Sequence, residues 1–180
     1  MTRAQQLLLA TLAVSWYNVA VIWLMQILIY PSWAFIPSAD FGQAQGNHFV
    51  RLFIVVFPQA TLATLSALAL LRWRPPGIRR AALWLGLGIQ LSLWLLTALL
   101  WGRWQGQIAL GDAPPGSLGP ANVELYHLLV ATHWLRVGLI TAYGILVFWM
   151  AYRSFSRPRT VEVDAHGGAL VPGEPRPVEG

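Results

Sequence analysis

Two histidines and two arginines stand where the chain carries almost no other charge. His133 and Arg136 lie three residues apart within the apolar run Leu125 to Tyr152, in which Arg136 is the one charged residue. His48 and Arg51 repeat that spacing at the head of a second run, Leu52 to Leu71. Residues three apart on a helix share a face, so each pair presents an imidazole beside a guanidinium. An ionisable side chain inside an apolar helix is costly and is a functional-site hypothesis by default. Imidazoles transfer protons and guanidiniums hold oxygen anions. His133 and His48 are therefore candidate bases, and Arg136 and Arg51 candidate anion stabilisers, for a phenolate, a quinone or enolate oxygen, or a carboxylate.

Periodicity extends both faces. The last run presents Tyr126, His133, Arg136 and Tyr143 roughly in line, and the second presents His48, Arg51, Val55, Gln59, Leu62 and Ser66. A third run adds Gln90, Trp94, Thr97, Trp101 and Trp104, and the first adds Ser15, Asn18 and Gln26. Counted back from Tyr152 at ~1.5 Å per residue, Arg136 sits ~24 Å along its helix, in the outer half of a bilayer. The spacing predicts a Trp-walled polar pocket there, with Tyr126, Gln59, Thr97, Trp94, Trp101 and Trp104 contacting the ligand.

The same residues admit plainer roles. Arg51 and Arg136 can snorkel to headgroup phosphates, and tryptophan is common at membrane interfaces. Glu124 and His127 form a surface pair, and His166 has no assigned role. No metal site is expected, because there is no Cys, no His-x-x-x-His pair and no carboxylate cluster. No cofactor is expected either. The alternative is a haem b with His48 and His133 as axial ligands and both arginines on its propionates.

The elements that position these residues follow from composition. Of 180 residues, 56% are hydrophobic and 11% charged, against about 25% charged in a soluble domain. Leu7 to Tyr30, Leu52 to Leu71 and Ala81 to Gly102 contain no Asp, Glu, Lys or Arg. With the run around Arg136 they make four stretches near the ~20 residues that cross a hydrocarbon layer. The fold class expected is an all-α polytopic membrane protein, a four-transmembrane-helix bundle over residues 1–152. Its helices are expected at about 7–30, 39–71, 81–104 and 120–152. The chain is expected to break at Tyr30-Pro31, with Ser38 as the N-cap of the second helix. Pro58 predicts a kink. Ala82-x-x-x-Gly86, Gly102-x-x-x-Gly106 and Gly138-x-x-x-Ala142 are spacings that permit close helix approach. Residues 153–180, rich in Pro and Gly, read as a flexible cytoplasmic tail.

The formal net charge is +5 and every cation is arginine. Arg3, then Arg72, Arg74, Arg79 and Arg80, then Arg153, Arg157, Arg159 and Arg176 flank the spans on one side. By the positive-inside rule, both termini are cytoplasmic and the loops Pro31 to Asn47 and Arg103 to Ala121 face outward. Basicity thus reports topology in a cell inner membrane, with no nucleic-acid partner.

The segment Phe41-x-x-x-Gln45-x-x-His48-x-x-Arg51 after Tyr30-Pro31, with Pro58 further on and His133-Trp134-Leu135-Arg136 in the last helix, resembles the anthrone-oxygenase-like family of small four-helix membrane proteins. The resemblance covers about Leu7 to Tyr152. It implies cofactor-free oxidation of a flat, weakly acidic ring system and transfers no established catalytic residue.

Three functions follow as expectations: an anthrone-oxygenase-like or quinone-related oxidation, a non-enzymatic accessory subunit of a larger membrane complex, and a haem-bearing electron carrier. The partners expected are membrane lipid, a lipophilic small molecule and partner transmembrane subunits.

Overall fold

The computed structural model describes residues 1–109 and 120–156. Among these residues the chain is helical and has no strand. Its segments are α1 (Arg3–Leu24), a π-turn (Met25–Ile29), α2 (Tyr30–Ser32), a 3-10 turn (Trp33–Phe35), α3 (Ser38–Val55), α4 (Phe57–Arg72), α5 (Arg80–Leu96), a second π-turn (Thr97–Trp101), α6 (Gly102–Ala109) and α7 (Pro120–Phe155). They combine into four spans long and apolar enough to cross a membrane: Arg3–Phe35, Gln43–Arg72, Arg80–Ile108 and Glu124–Phe155. The expected tail beyond Ser156 and the expected outer turn Gly111 to Gly119 lie outside the described residues.

The first span begins earlier than its apolar run because Thr2 caps it. The Thr2 hydroxyl accepts from the Gln5 amide at 3.2 Å, and the Gln5 side chain accepts from the Thr2 amide at 2.9 Å, a reciprocal capping box. The span also continues past Tyr30-Pro31, where a break was expected. The π-turn widens the hydrogen-bond ring just before Pro31, with the Tyr30 amide donating to the Met25 carbonyl. Pro31 then sits in the first turn of α2, where a missing N–H is tolerated. The break falls at Ile36, whose extended ψ of 126° is what a residue preceding a proline adopts.

The second span starts at Ser38 with Pro37 in the cap position, so Ser38 is not the cap. It interrupts at Val56 (φ −106°, ψ −48°), two residues before Pro58. Pro58 has no N–H to give the carbonyl four residues earlier, and Tyr17 of the first span donates its hydroxyl to the nearby Val55 carbonyl at 3.4 Å. At the turn into the third span, Ile78 N donates to Pro75 O at 3.3 Å and Gly77 has φ 78°, the positive φ that a type II turn requires after a proline.

Gln5 Nε2 donates to the Ser154 carbonyl at 3.2 Å, and Leu8, Ile78, Leu83 and Met150 share one core cluster. Arg3, Arg72, Arg79, Arg80 and Arg153 therefore crowd one end of the bundle. A second cluster, with Ile22, Tyr30, Trp33, Phe41, Trp101, Ile108 and Leu129, fills the opposite end. The exterior is apolar: Leu24, Ile27, Leu28, Ile54, Leu65, Trp84, Leu95, Ile145 and Phe148 are exposed. Exposed apolar side chains on all four spans are compatible with a membrane protein.

Glycine roles differ from the expected small-residue seams. Gly86 packs on the Tyr143 ring, but a Cβ on Gly106 or Gly138 would meet nothing within 4 Å. The close contact to the first span is at Gly144, where a Cβ would meet Val19 Cγ2 at 3.0 Å. Gly102 serves the π-turn itself: its amide donates to the Thr97 carbonyl, and a Cβ would lie 2.7 Å from that oxygen. Gly102→Ala is therefore expected to lower stability in detergent by about 1–3 kcal/mol, the usual cost of overpacking. Gly106→Ala should leave stability unchanged or raised by helix propensity; thermal unfolding of the two variants checks the contrast.

Candidate functional site

Arg136 is the buried cation of the bundle. Its residue exposure is 8%, its Cζ lies 4.3 Å from the Trp101 ring centroid, and its Nη2 donates to Thr97 Oγ1 at 2.6 Å. Thr97 passes its own hydroxyl proton to the Leu93 carbonyl at 2.6 Å, so Thr97 can only accept from the guanidinium. Both arginine contacts come from the second π-turn, which starts at Thr97 and ends at Trp101. Steps of four from Leu93 to Thr97, Trp101 and Gln105 would drift by about 40° each around an α-helix. The wider turn absorbs that drift and keeps all four residues inward. π-turns are frequent at functional sites for this reason. Among the described residues Arg136 makes no ion pair.

One turn away, His133 is fully buried, and its Nδ1 is 2.8 Å from Gln26 Oε1. Gln26 Nε2 donates to the Val130 carbonyl at 3.2 Å, which fixes the amide with its oxygen toward the imidazole. Nδ1 therefore carries the proton, leaving Nε2 as a lone-pair acceptor. That Nε2 has no partner, and neither does the buried hydroxyl of Tyr30. The Tyr30 and His133 rings meet edge to face at 4.8 Å. The series continues through Tyr30 to Trp33 at 5.1 Å and Trp33 to His48 at 5.4 Å. Trp101 meets His133 at 6.3 Å and anchors its indole N–H on Thr132 at 3.1 Å. The two imidazoles envisaged as an axial pair thus have the Tyr30 and Trp33 rings between them. Among the described residues no three His, Asp or Glu side chains gather as metal ligands.

A cavity of about 140 Å³ opens beside Arg136. Arg136, Thr97, Gln90, Gln105, Asn18 and Tyr143 bring polar atoms to a lining otherwise made of Ile22, Met25, Phe49, Leu52, Val56, Phe57, Leu93, Trp94 and their neighbours. His48 and Arg51 do not reach it. They line a separate groove of about 230 Å³ with Val21, Leu24, Met25, Ile29, Leu52, Val55 and Val56. The expected single pocket holding both His/Arg pairs is thus corrected to a cavity at Arg136 and a groove at Arg51. The buried face of the second span runs Phe41, Gln45, Ala63, Ala67 and Leu70, which turns Arg51 and Leu62 outward and makes the predicted polar stripe only partly internal.

The remaining predicted contacts divide. Thr97 and Trp94 line the cavity, with Trp94 Nε1 donating to Thr64 Oγ1 at 2.9 Å. Trp101 stands behind Arg136. Tyr126 donates its hydroxyl to the Tyr30 carbonyl at 3.0 Å and Trp104 packs against the core cluster at that end; neither lines the cavity. Gln59 has an unpartnered side-chain oxygen while its backbone carbonyl accepts from Asn18 Nδ2 at 3.3 Å. Tyr30, Trp33 and Gln105 were absent from the predicted site, and Gln26 was placed on its polar face with no role. The signal available was the run of four-residue steps, which an α-helix would not keep on one face.

An unpaired buried charge destabilises its fold, and among the described residues no acid loses a partner when Arg136 is replaced. Arg136→Met should therefore keep or raise thermal stability, by about 1–3 kcal/mol on the scale of buried-charge replacements. A substantial drop in denaturation midpoint would show that the guanidinium serves structure instead. No protein-family model matches the chain, and no curated protein and no solved structure shows significant similarity to it.

Proposed function

We propose that the chain is an integral membrane protein of the inner membrane that binds a lipophilic ligand with a single-ring, anion-forming head, such as a hydroquinone, quinone or phenol, in the Arg136 cavity. The four apolar spans and the uncovered apolar exterior support insertion. The arginine-bearing end supports a cytoplasmic placement of both termini. The observation that carries the ligand class is Arg136: a buried guanidinium on a mostly apolar cavity that, among the described residues, has one hydrogen bond and no acid beside it. An oxygen anion or a polarised carbonyl supplies the missing acceptor and gains strength from the surrounding low dielectric.

Volume selects the head. An apolar cavity of roughly 150 Å³ holds one benzene, and this one is about 140 Å³. One ring fits within it, and the further rings of an anthrone would extend beyond it, since the cavity is partly open.

Oxidation of such a ligand, as the anthrone-oxygenase-like resemblance implies, is the second reading. It is favoured by the unpartnered Nε2 of His133 and the Tyr30 hydroxyl beside it, an acceptor and a donor held one turn from Arg136. Against direct general-base action, His133 does not line the cavity, and Trp101 packs against both His133 and the Arg136 guanidinium. Binding is therefore the primary function proposed, and proton removal by His133 requires Trp101 to move.

Equilibrium binding of a tail-less single-ring hydroquinone to protein in mild detergent tests the reading. Arg136→Gln should weaken it about 10- to 100-fold, matching the roughly 1.5–3 kcal/mol of a charged hydrogen bond. Equal affinity for wild type and Arg136→Gln contradicts the proposal.

A further inference from the structure

The cavity and the groove share a wall. Met25, Leu52 and Val56 line both spaces, so a single layer of apolar side chains divides them. Two of the three sit at backbone irregularities: Met25 opens the first π-turn, and Val56 is where the second span breaks ahead of Pro58. Methionine is unbranched and repacks readily.

A head that fills a one-ring cavity leaves any long substituent to extend out of it. On the side of the second and third spans, Phe49 meets Phe53 edge to face at 5.3 Å, Phe53 stacks on Phe57 at 4.7 Å, and Phe57 meets Trp94 at 5.8 Å. Aromatic side chains thus occupy that side of the cavity. Toward the groove there is only the Met25, Leu52 and Val56 layer, and beyond it Leu24, Ile29 and Val55 offer exposed hydrocarbon. We infer that the ligand is an amphiphile whose alkyl or isoprenoid tail passes between Met25, Leu52 and Val56 into the groove and leaves between the first and second spans. This rests on the head-group reading above and adds the tail class and its route. The tail gains packing contacts in the groove, because lipid already satisfies its hydrophobicity.

The probe is a hydroquinone with a decyl tail ending in a diazirine, photolysed on the full chain in mild detergent and mapped by mass spectrometry. Labelling is expected on Leu24, Ile29 or Val55. Val55→Trp, with Ile29→Trp as a second variant, should cut that labelling about tenfold or more by filling the groove. Both variants should leave the affinity of the tail-less hydroquinone unchanged. Labelling on Phe53, Phe57 or Trp94, or groove labelling unaffected by both variants, overturns the tail route. If the tail-less compound fails to bind while the tailed one labels the groove, the Arg136 head site falls and the tail site stands. If neither binds, both fall.

Discussion

The end of the bundle opposite the arginine cluster is organised around one buried guanidinium. Arg136 lies on the Trp101 ring and spends one of its five donors on Thr97. Moving such a charge out of water costs several kcal/mol even after the protein relaxes, and one hydrogen bond with one cation–π contact offsets only part of that. Everything nearby is consistent with holding the charge in place without neutralising it. Thr97 is kept as an acceptor by its own bond to Leu93, Trp101 is pinned through Thr132, and Gly102 permits the turn that carries both.

Backbone irregularities do the positioning. Three of the spans carry one each: a π-turn before Pro31, the break before Pro58, and the π-turn at Thr97. The first brings Gln26 and Tyr30 to His133, the third brings Thr97 and Trp101 to Arg136, and the second sets Val56 in the wall between cavity and groove. Straight helices would rotate some of these side chains toward the exterior. These local departures from α geometry gather Gln26, His133, Thr97 and Arg136 at one end of the interior.

Much of this was legible in the sequence and some was not. Hydropathy gave four helices long and apolar enough to span a membrane, because apolar length acts through solvent and needs no tertiary knowledge. Arg136 was legible for the same reason. The Arg51 assignment failed because helical periodicity gives a face without saying which face packs inward. Gln45 and Ala63, small or amide-bearing, were better guides to the buried side than the charged residue. The π-turns were missed because a fixed period was assumed through Met25 to Ile29 and Thr97 to Trp101. His133 was found, but its tautomer depends on Gln26, more than 100 residues away in sequence, which periodicity cannot reach.

The most direct measurement is the side-chain Nε–Hε spectrum of selectively ¹⁵N-arginine-labelled protein in detergent, with the Arg136 signal assigned by its loss in Arg136→Gln. Addition of a single-ring hydroquinone should shift the Arg136 signal and leave those of Arg72, Arg79, Arg80 and Arg153 at the far end in place. An Arg136 signal that stays fixed while the ligand saturates the protein would contradict its role as the anion anchor.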